Sequence, residues 1–295
     1  MGSTPTPGTK LHEVSNIARW ISRLRTEIPG QPPIDYRAPP GHFKKCASCR
    51  IIAGHRIQAL HDQDSDAAKM TSKEKVYPTI DAAVADIPDG ATIMFGGFGG
   101  AGFPNNLIQA LARQGARNLS VISNNCGTGE GELGLLFKNR QIRRVVAAFP
   151  GPGAKYFQEQ FDAGEIELEL VPQGILCERM RAFGAGIPAF FSPVGVGTEI
   201  ASGKEERVIR GKRYILEQAL GADYAFIRAY RADHMGNLIY HKAARNFNPI
   251  MATAAKFTIA EVEEIVGTGK LDPEAIITPS IFVDRIVQAE GKRYA

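Results

Sequence analysis

Residues 91–125 read ATIMFGGFGGAGFPNNLIQALARQGARNLSVISNN, and this stretch decides the fold. ATIMF (91–95) is an apolar run of strand length. A glycine-rich segment, 96–102, follows it. Pro104 then stands in the first turn of a helix, where its missing N–H costs nothing. That helix runs through Gln114 and ends at Gly115. LSVIS (119–123) is a second strand, and it runs into Asn124 and Asn125.

The same alternation extends outward in both directions. Upstream, Thr79 caps a short helix over 80–87, and Pro88-Asp89-Gly90 turns the chain. Downstream, helices are predicted over 132–139, 155–163 and 173–183. Strands are predicted between them over 144–149 and 166–171. Strands that are apolar throughout and separated by helices imply a parallel sheet covered on both faces. The fold class is therefore α/β: an open, mainly parallel sheet with helices on both faces. Residues 207–216, with Gly211-Lys212 at the centre, read as a β-hairpin. Further strands fall at 224–230 and 257–266, and a last strand-like run at 281–287. A helix starts near Pro249. No repeat of solenoid period is present.

The chain has 295 residues, 44% hydrophobic and 22% charged. A core of that size needs no disulfide staples. Its four cysteines, Cys46, Cys49, Cys126 and Cys177, are too few for a disulfide framework, and a reducing cytoplasm fits them. No apolar run approaches 20 residues, so no membrane span is expected. Residues 1–69 hold ten Lys/Arg against six Asp/Glu, which accounts for the whole net charge of +4. The remainder is balanced, so no global field would recruit nucleic acid.

Residues 1–69 also differ in kind. They carry seven of the 18 prolines and four of the six histidines. Proline over 29–41 forbids helix interior or central strand. Leu11, Val14, Ile17, Ile21 and Leu24 allow one short amphipathic helix. Four readings stand for this extension. It is a poorly ordered stretch or one included by a wrong start site, with Met70 as an ordinary start. It is a docking arm. It is a transit peptide, against which Glu13 and Glu27 interrupt the basic helix. Or it is a zinc site built from Cys46, Cys49, His42 and His55, for which a lone C-x-x-C is a weak sign. The body, 70–295, is read as one separate domain with no metal site.

Four clusters in the body carry chemistry. Gly97, Gly99 and Gly102 satisfy G-x-G-x-x-G, which in a dinucleotide-binding fold holds a pyrophosphate at a helix N-terminus. That fold wants an acidic residue at the end of the second strand, and here the strand ends in Ser123-Asn124-Asn125. Two readings remain: Gly97, Phe98, Gly99 and Gly100 form a backbone cradle for an acyl-CoA or carboxylate group, or the glycines only permit a tight turn. Asn124 and Asn125 either donate to a thioester or carboxylate oxygen beyond a strand end or cap a turn. Gln173 aims an amide at the same sheet edge or begins a helix as its cap. Lys242, Arg245, Asn246 and Asn248 bind an anion or form a solvated turn. Cys126 and Cys177 lack sequence-near histidines. Glu130 and Glu132, in the loop after the second strand, are carboxylates of the type that attacks a thioester, or simply solvated loop residues.

Six motifs then occur in order: GGFG followed by P-x-N-L-I, I-S-N-N-x-G, V-P-Q-G, A-F-F-S-P-x-G-x-G-T, A-A-R-N-F-N-P, and I-I-T-P-x-I-F-V-D-R-I-V. So ordered, residues 76–288 resemble the A subunit of the family I 3-oxoacid CoA transferases. The resemblance implies transfer of CoA between a carboxylate and an acyl-CoA through a glutamyl-CoA thioester. It places the nucleophilic glutamate on a partner B subunit, or in the C-terminal half of fused forms. Its Glu-Asn-Gly motif is absent here, so a heterodimer or heterotetramer is implied. Gln173 is then part of the oxyanion hole, Asn124 and Asn125 line the substrate pocket, and the glycine loop packs beside it. No cofactor is implied beyond the coenzyme A thioester as substrate. Residues 146–152 (VAAFPGP) and Gly129-Glu130 look closest to 3-oxoadipate transferases, which implies aromatic-compound breakdown with succinyl-CoA as donor. Acetoacetate-type transfer is the alternative substrate. A non-catalytic CoA- or nucleotide-binding regulator on the same fold is a second class, and a dinucleotide-dependent oxidoreductase a third.

The charge and proline contrast generates a first prediction. A chain beginning at Met70 is expected to match the full chain in melting temperature and in assembly with its B partner. A large loss in either would favour the docking arm.

Overall fold

The computed structural model describes residues 74–291 other than 128 and 152. The expectations placed on residues 1–69 lie outside the described residues. The body opens with α1 (Ile80–Val84), whose N-cap Thr79 accepts from the Ala82 N–H as expected. Then come β1 (Thr92–Phe95), α2 (Asn105–Gln114), β2 (Leu119–Ser123), α3 (Gly134–Lys138), β3 (Ile142–Ala147), α4 (Lys155–Asp162), β4 (Glu167–Leu170) and α5 (Gln173–Gly184). Gly115 closes α2 in the left-handed region at φ 89°, where glycine pays no Cβ penalty.

β1 to β4 are parallel neighbours in that order. The chain then crosses to the other side of β1. There it lays down β8 (Ala222–Asp233), β10 (Ala255–Val266) and β11 (Arg285–Gln288), so the sheet order is β11-β10-β8-β1-β2-β3-β4. These pairings are parallel as well. The single antiparallel neighbour among the described residues of this sheet is the short β9 (Leu238–Ile239), which folds back on β8. The junction of β1 and β8 is the point where the winding reverses, and in open α/β sheets ligands bind outside the carboxyl ends of strands at such a point.

Alternation within the strands feeds two cores. Ile93, Phe95, Val121, Val145 and Phe226 point to one face and pack with Val84, Leu107, Leu111, Phe137 and Phe157 of α1 to α4. Met94, Ile122, Val146 and Ile227 point to the other face. They meet Leu176 and Met180 of α5 and Met251 of α6 (Asn248–Thr253). The strands are apolar throughout because both faces are covered. No helix among the described residues is long and apolar enough to cross a membrane.

Three local expectations are corrected. The hairpin forms from β6 (Glu206–Ile209) and β7 (Lys212–Gln218), but its central residues are Arg210 and Gly211, one position earlier than expected. Both have positive φ, 49° and 76°, which a two-residue hairpin turn twisted to match its strands requires. A third strand, β5 (Ala189–Ser192), joins β7, and the sequence reading does not include it. The run 281–287 is not one strand. Ser280–Phe282 forms a 3₁₀ turn behind Pro279, and pairing begins at Arg285.

One side chain ties the halves of the sheet together. Asn248, fully buried, accepts from the Arg228 N–H at 2.9 Å and donates to the carbonyls of Gly102 and Ala244 at 3.1 and 2.8 Å. Asn248→Ala would leave these buried backbone groups unpaired, at a cost of about 2–3 kcal/mol. The expected reading is a melting temperature lower by roughly 4–12 °C. An unchanged melting temperature would mean that the glycine segment holds itself.

Candidate functional site

The glycine segment folds as a tight turn. Phe98 and Ala101 exchange both backbone hydrogen bonds at 3.0 Å. Gly99 and Gly100 between them have φ of 57° and 82°, a conformation that only glycine adopts cheaply at two successive positions. Gly97 is needed for a second reason, since a Cβ there would sit 2.5 Å from the Phe103 ring. The Gly97 N–H donates to Asn246 Oδ1 at 3.2 Å, and Asn246 Nδ2 donates to the Ala101 carbonyl at 3.0 Å. With the Gly96 N–H on the Phe226 carbonyl at 3.0 Å, four N–H groups of the segment, those of Gly96, Gly97, Phe98 and Ala101, are already taken. Phe98 is left half exposed, with its ring 6.5 Å from that of Phe247.

The helix end behind this turn is occupied as well. The N–H groups of Asn106 and Leu107, in the first turn of α2, donate to Glu261 Oε2 at 2.9 and 3.0 Å. Glu261 is fully buried on β10 and also pairs with Arg228, which reaches Glu263 too. Burial pushes the Glu261 carboxyl upward, against the pull of the Arg228 guanidinium and the two N–H groups. A pyrophosphate needs this helix terminus, and the protein's own carboxylate fills it. The G-x-G-x-x-G match therefore does not form a dinucleotide site.

The amides at the second and fourth strand ends do come together. Ser123, paired in register with Phe95, donates its hydroxyl to the Phe95 carbonyl at 3.2 Å. Asn124 follows with no exposure at all. Its Oδ1 accepts from Gln173 Nε2 at 2.8 Å across 49 residues of sequence. Gln173 is the first residue of α5, and its side chain turns away from that helix, so it is not the cap that one reading made it. Asn125 accepts from the Gly127 N–H at 2.9 Å, the turn-capping arrangement. Asn246 and Asn248 are likewise committed to the backbone of the glycine turn, while Lys242 and Arg245 stay exposed on the same segment.

The nucleophile candidates are weak in this setting. Cys126 is buried, and burial pushes its thiol up to about 12. The Cys177 thiol is raised for the same reason. Glu130 accepts from the Tyr156 hydroxyl at 2.7 Å and pairs with Lys138 at 3.0 Å; these contacts hold its carboxyl below the ordinary range. Glu132, half buried, is raised by burial. Sequence reasoning misses Glu261 and Arg228, because nothing nearby in the chain marks a strand carboxylate as the partner of a helix about 150 residues away.

Residues 77–289 match the family model for coenzyme A transferase. The A subunit of a 3-oxoadipate CoA-transferase from Pseudomonas putida is 55% identical over 218 residues, 74% of this chain and 94% of that protein. The A subunit of a probable succinyl-CoA:3-ketoacid coenzyme A transferase from Bacillus subtilis is 51% identical over 213 residues, 72% of this chain and 89% of its own length. Among solved structures, an acyl-CoA transferase from E. coli O157:H7 (YdiF) superposes with a TM-score of 0.65 at 23% identity. That likeness covers 77% of this chain and 49% of the other, and it concerns the fold. The chain belongs to the coenzyme A transferase family, as a counterpart of its A subunits.

Proposed function

We propose that this chain is the site-shaping half of a heteromeric transferase that moves coenzyme A from succinyl-CoA to 3-oxoadipate. The observation that carries this reading is an amide pair, Gln173 on Asn124, at the strand ends of a chain whose sequence lacks the Glu-Asn-Gly run of the B subunits. Neutral N–H donors suit charge that develops on a thioester oxygen. The relative at 55% identity bears a 3-oxoadipate name, and the VAAFPGP segment (146–152) supports the same substrate.

In the proposed mechanism the succinyl thioester carbonyl is attacked by a glutamate of the B partner. The C–S bond breaks and the coenzyme A thiolate leaves, forming a mixed anhydride. The thiolate then attacks the glutamyl carbonyl, releasing succinate and leaving a glutamyl-CoA thioester. The 3-oxoacid carboxylate repeats the sequence in reverse. Each attack places negative charge on a carbonyl oxygen, and the Gln173 amide is assigned to meet it. Binding energy expressed only at that moment raises turnover rather than affinity. The thioester is a substrate, and no further cofactor enters the scheme.

Co-expression with the B partner tests the reading. The single chain is expected to show no transfer from succinyl-CoA, and the heteromer to transfer to 3-oxoadipate faster than to acetoacetate. Transfer by the single chain would overturn the half-enzyme assignment. A preference for acetoacetate would move the substrate to the alternative 3-oxoacid. In the heteromer, Cys126→Ala is expected to keep turnover within about two-fold, since a buried, protonated thiol is no nucleophile.

A further inference from the structure

We infer that Asn124 is a positioning residue, which fixes the Gln173 amide from behind and does not itself touch substrate. The inference rests on the proposed role of Gln173 in the transfer reaction and goes beyond it. It also departs from the pocket-lining role that the family resemblance implies for Asn124.

Three observations carry it. First, Asn124 has no exposed surface, whereas Gln173 is exposed at the start of α5. Only the outer member of the pair is within reach of a ligand. Second, Asn124 is anchored from both sides. Its carbonyl accepts from the Ala148 N–H at 3.1 Å, next to β3, and the preceding Ser123 is tied to the end of β1. With its backbone so held and its side chain fully buried, Asn124 offers Oδ1 as a fixed point for a long side chain. A glutamine amide nitrogen carries two N–H groups. The bond of 2.8 Å to Asn124 uses one and thereby sets the direction of the other.

Third, the Nδ2 of Asn124 is buried and has no hydrogen-bond partner. An unpaired buried N–H₂ group is costly. A leucine of similar size would avoid that cost, so stability alone does not account for an asparagine here. An aspartate would supply the acceptor but would place a buried negative charge behind a developing oxyanion, which opposes it. Asparagine supplies the acceptor without the charge. The role is therefore one of direction: a free glutamine side chain samples several rotamers, and one bond to a rigid point selects one of them.

The test is a double-mutant cycle on the co-expressed heteromer, with turnover, KM and melting temperature measured for each protein. Gln173→Ala is expected to lower kcat by about 10²–10³-fold with little change in KM. Asn124→Ala is expected to lower kcat with KM again nearly unchanged, by no more than Gln173→Ala does. The double variant should be no slower than Gln173→Ala alone, because Asn124 acts only through Gln173. A packing defect would show instead as a lower melting temperature of equal size in both Gln173 backgrounds.

The outcomes separate cleanly. Losses that multiply in the double variant, or an Asn124→Ala enzyme with normal kcat, overturn the inference while leaving Gln173 in place. A Gln173→Ala enzyme with normal kcat overturns the underlying assignment and the inference with it. Where Asn124→Ala does not assemble, Asn124→Leu, uncharged, without an acceptor and of similar size, replaces it. Its effect on kcat must then vanish in the Gln173→Ala background, and persistence there defeats the idea.

Discussion

The carboxyl edge of this sheet depends on the buried amide of Asn248. Its oxygen takes the N–H of Arg228, and its nitrogen holds the carbonyls of Gly102 and Ala244. One side chain thus joins β8, the glycine turn and the 3₁₀ segment (Lys242–Arg245). The constraint is reciprocal. A Cβ at Gly96 would lie 1.8 Å from Asn248 Oδ1, so the glycine and the asparagine require each other. Beside it, the carboxylate of Glu261 closes the N-terminus of α2 and faces Arg228. The polar groups that a sharp strand-to-helix turn would leave unpaired are in this way supplied from within the fold.

That internal supply decides which chemistry the edge offers. In a dinucleotide site the glycine turn and helix terminus stay open for phosphate. Here Glu261 fills the terminus, and Asn246 takes the Gly97 N–H. What remains at the strand ends is a half-exposed aromatic, Phe98, and an exposed neutral amide, Gln173. At Phe98 and Gln173 this surface offers contact area and a neutral dipole to a carbonyl group, and the adjoining segment adds the exposed cations Lys242 and Arg245.

Much of the fold is legible in the sequence because both faces of the sheet are covered. LSVIS reads as a strand at its observed bounds, since a strand buried on both sides is apolar throughout and a helix end flanks it. The single-residue offset at the hairpin has a physical source. Arg210 accepts positive φ, a conformation that sequence statistics assign to its neighbour Gly211. β5 escapes because four residues, AFFS, carry no alternation to read. At the site, the residue types are legible and their partners are not. Asn246 and Asn248 stand out as a cluster, but their use as clamps on residues about 145 positions earlier is a property of the folded chain. Likewise Asn124 and Gln173 are each marked by their strand ends, and only the register of β2, β3 and β4 brings them within 2.8 Å.

The same reasoning gives a physical basis for dividing the proposed reaction between two chains. A carboxylate nucleophile must be ionised and poorly solvated when it attacks, and an oxyanion donor must be rigid beforehand. Placing both on one strand edge would let the carboxylate accept the donor N–H and quench each group with the other. In this chain two carboxylates near the edge are engaged: Glu130 by Tyr156 and Lys138, and Glu261 by Arg228 and the helix terminus. A nucleophile brought by a separate polypeptide meets the amide only in the assembled site. The donor can then be held fixed by its own chain, through Asn124, without a permanent acceptor of negative charge beside it.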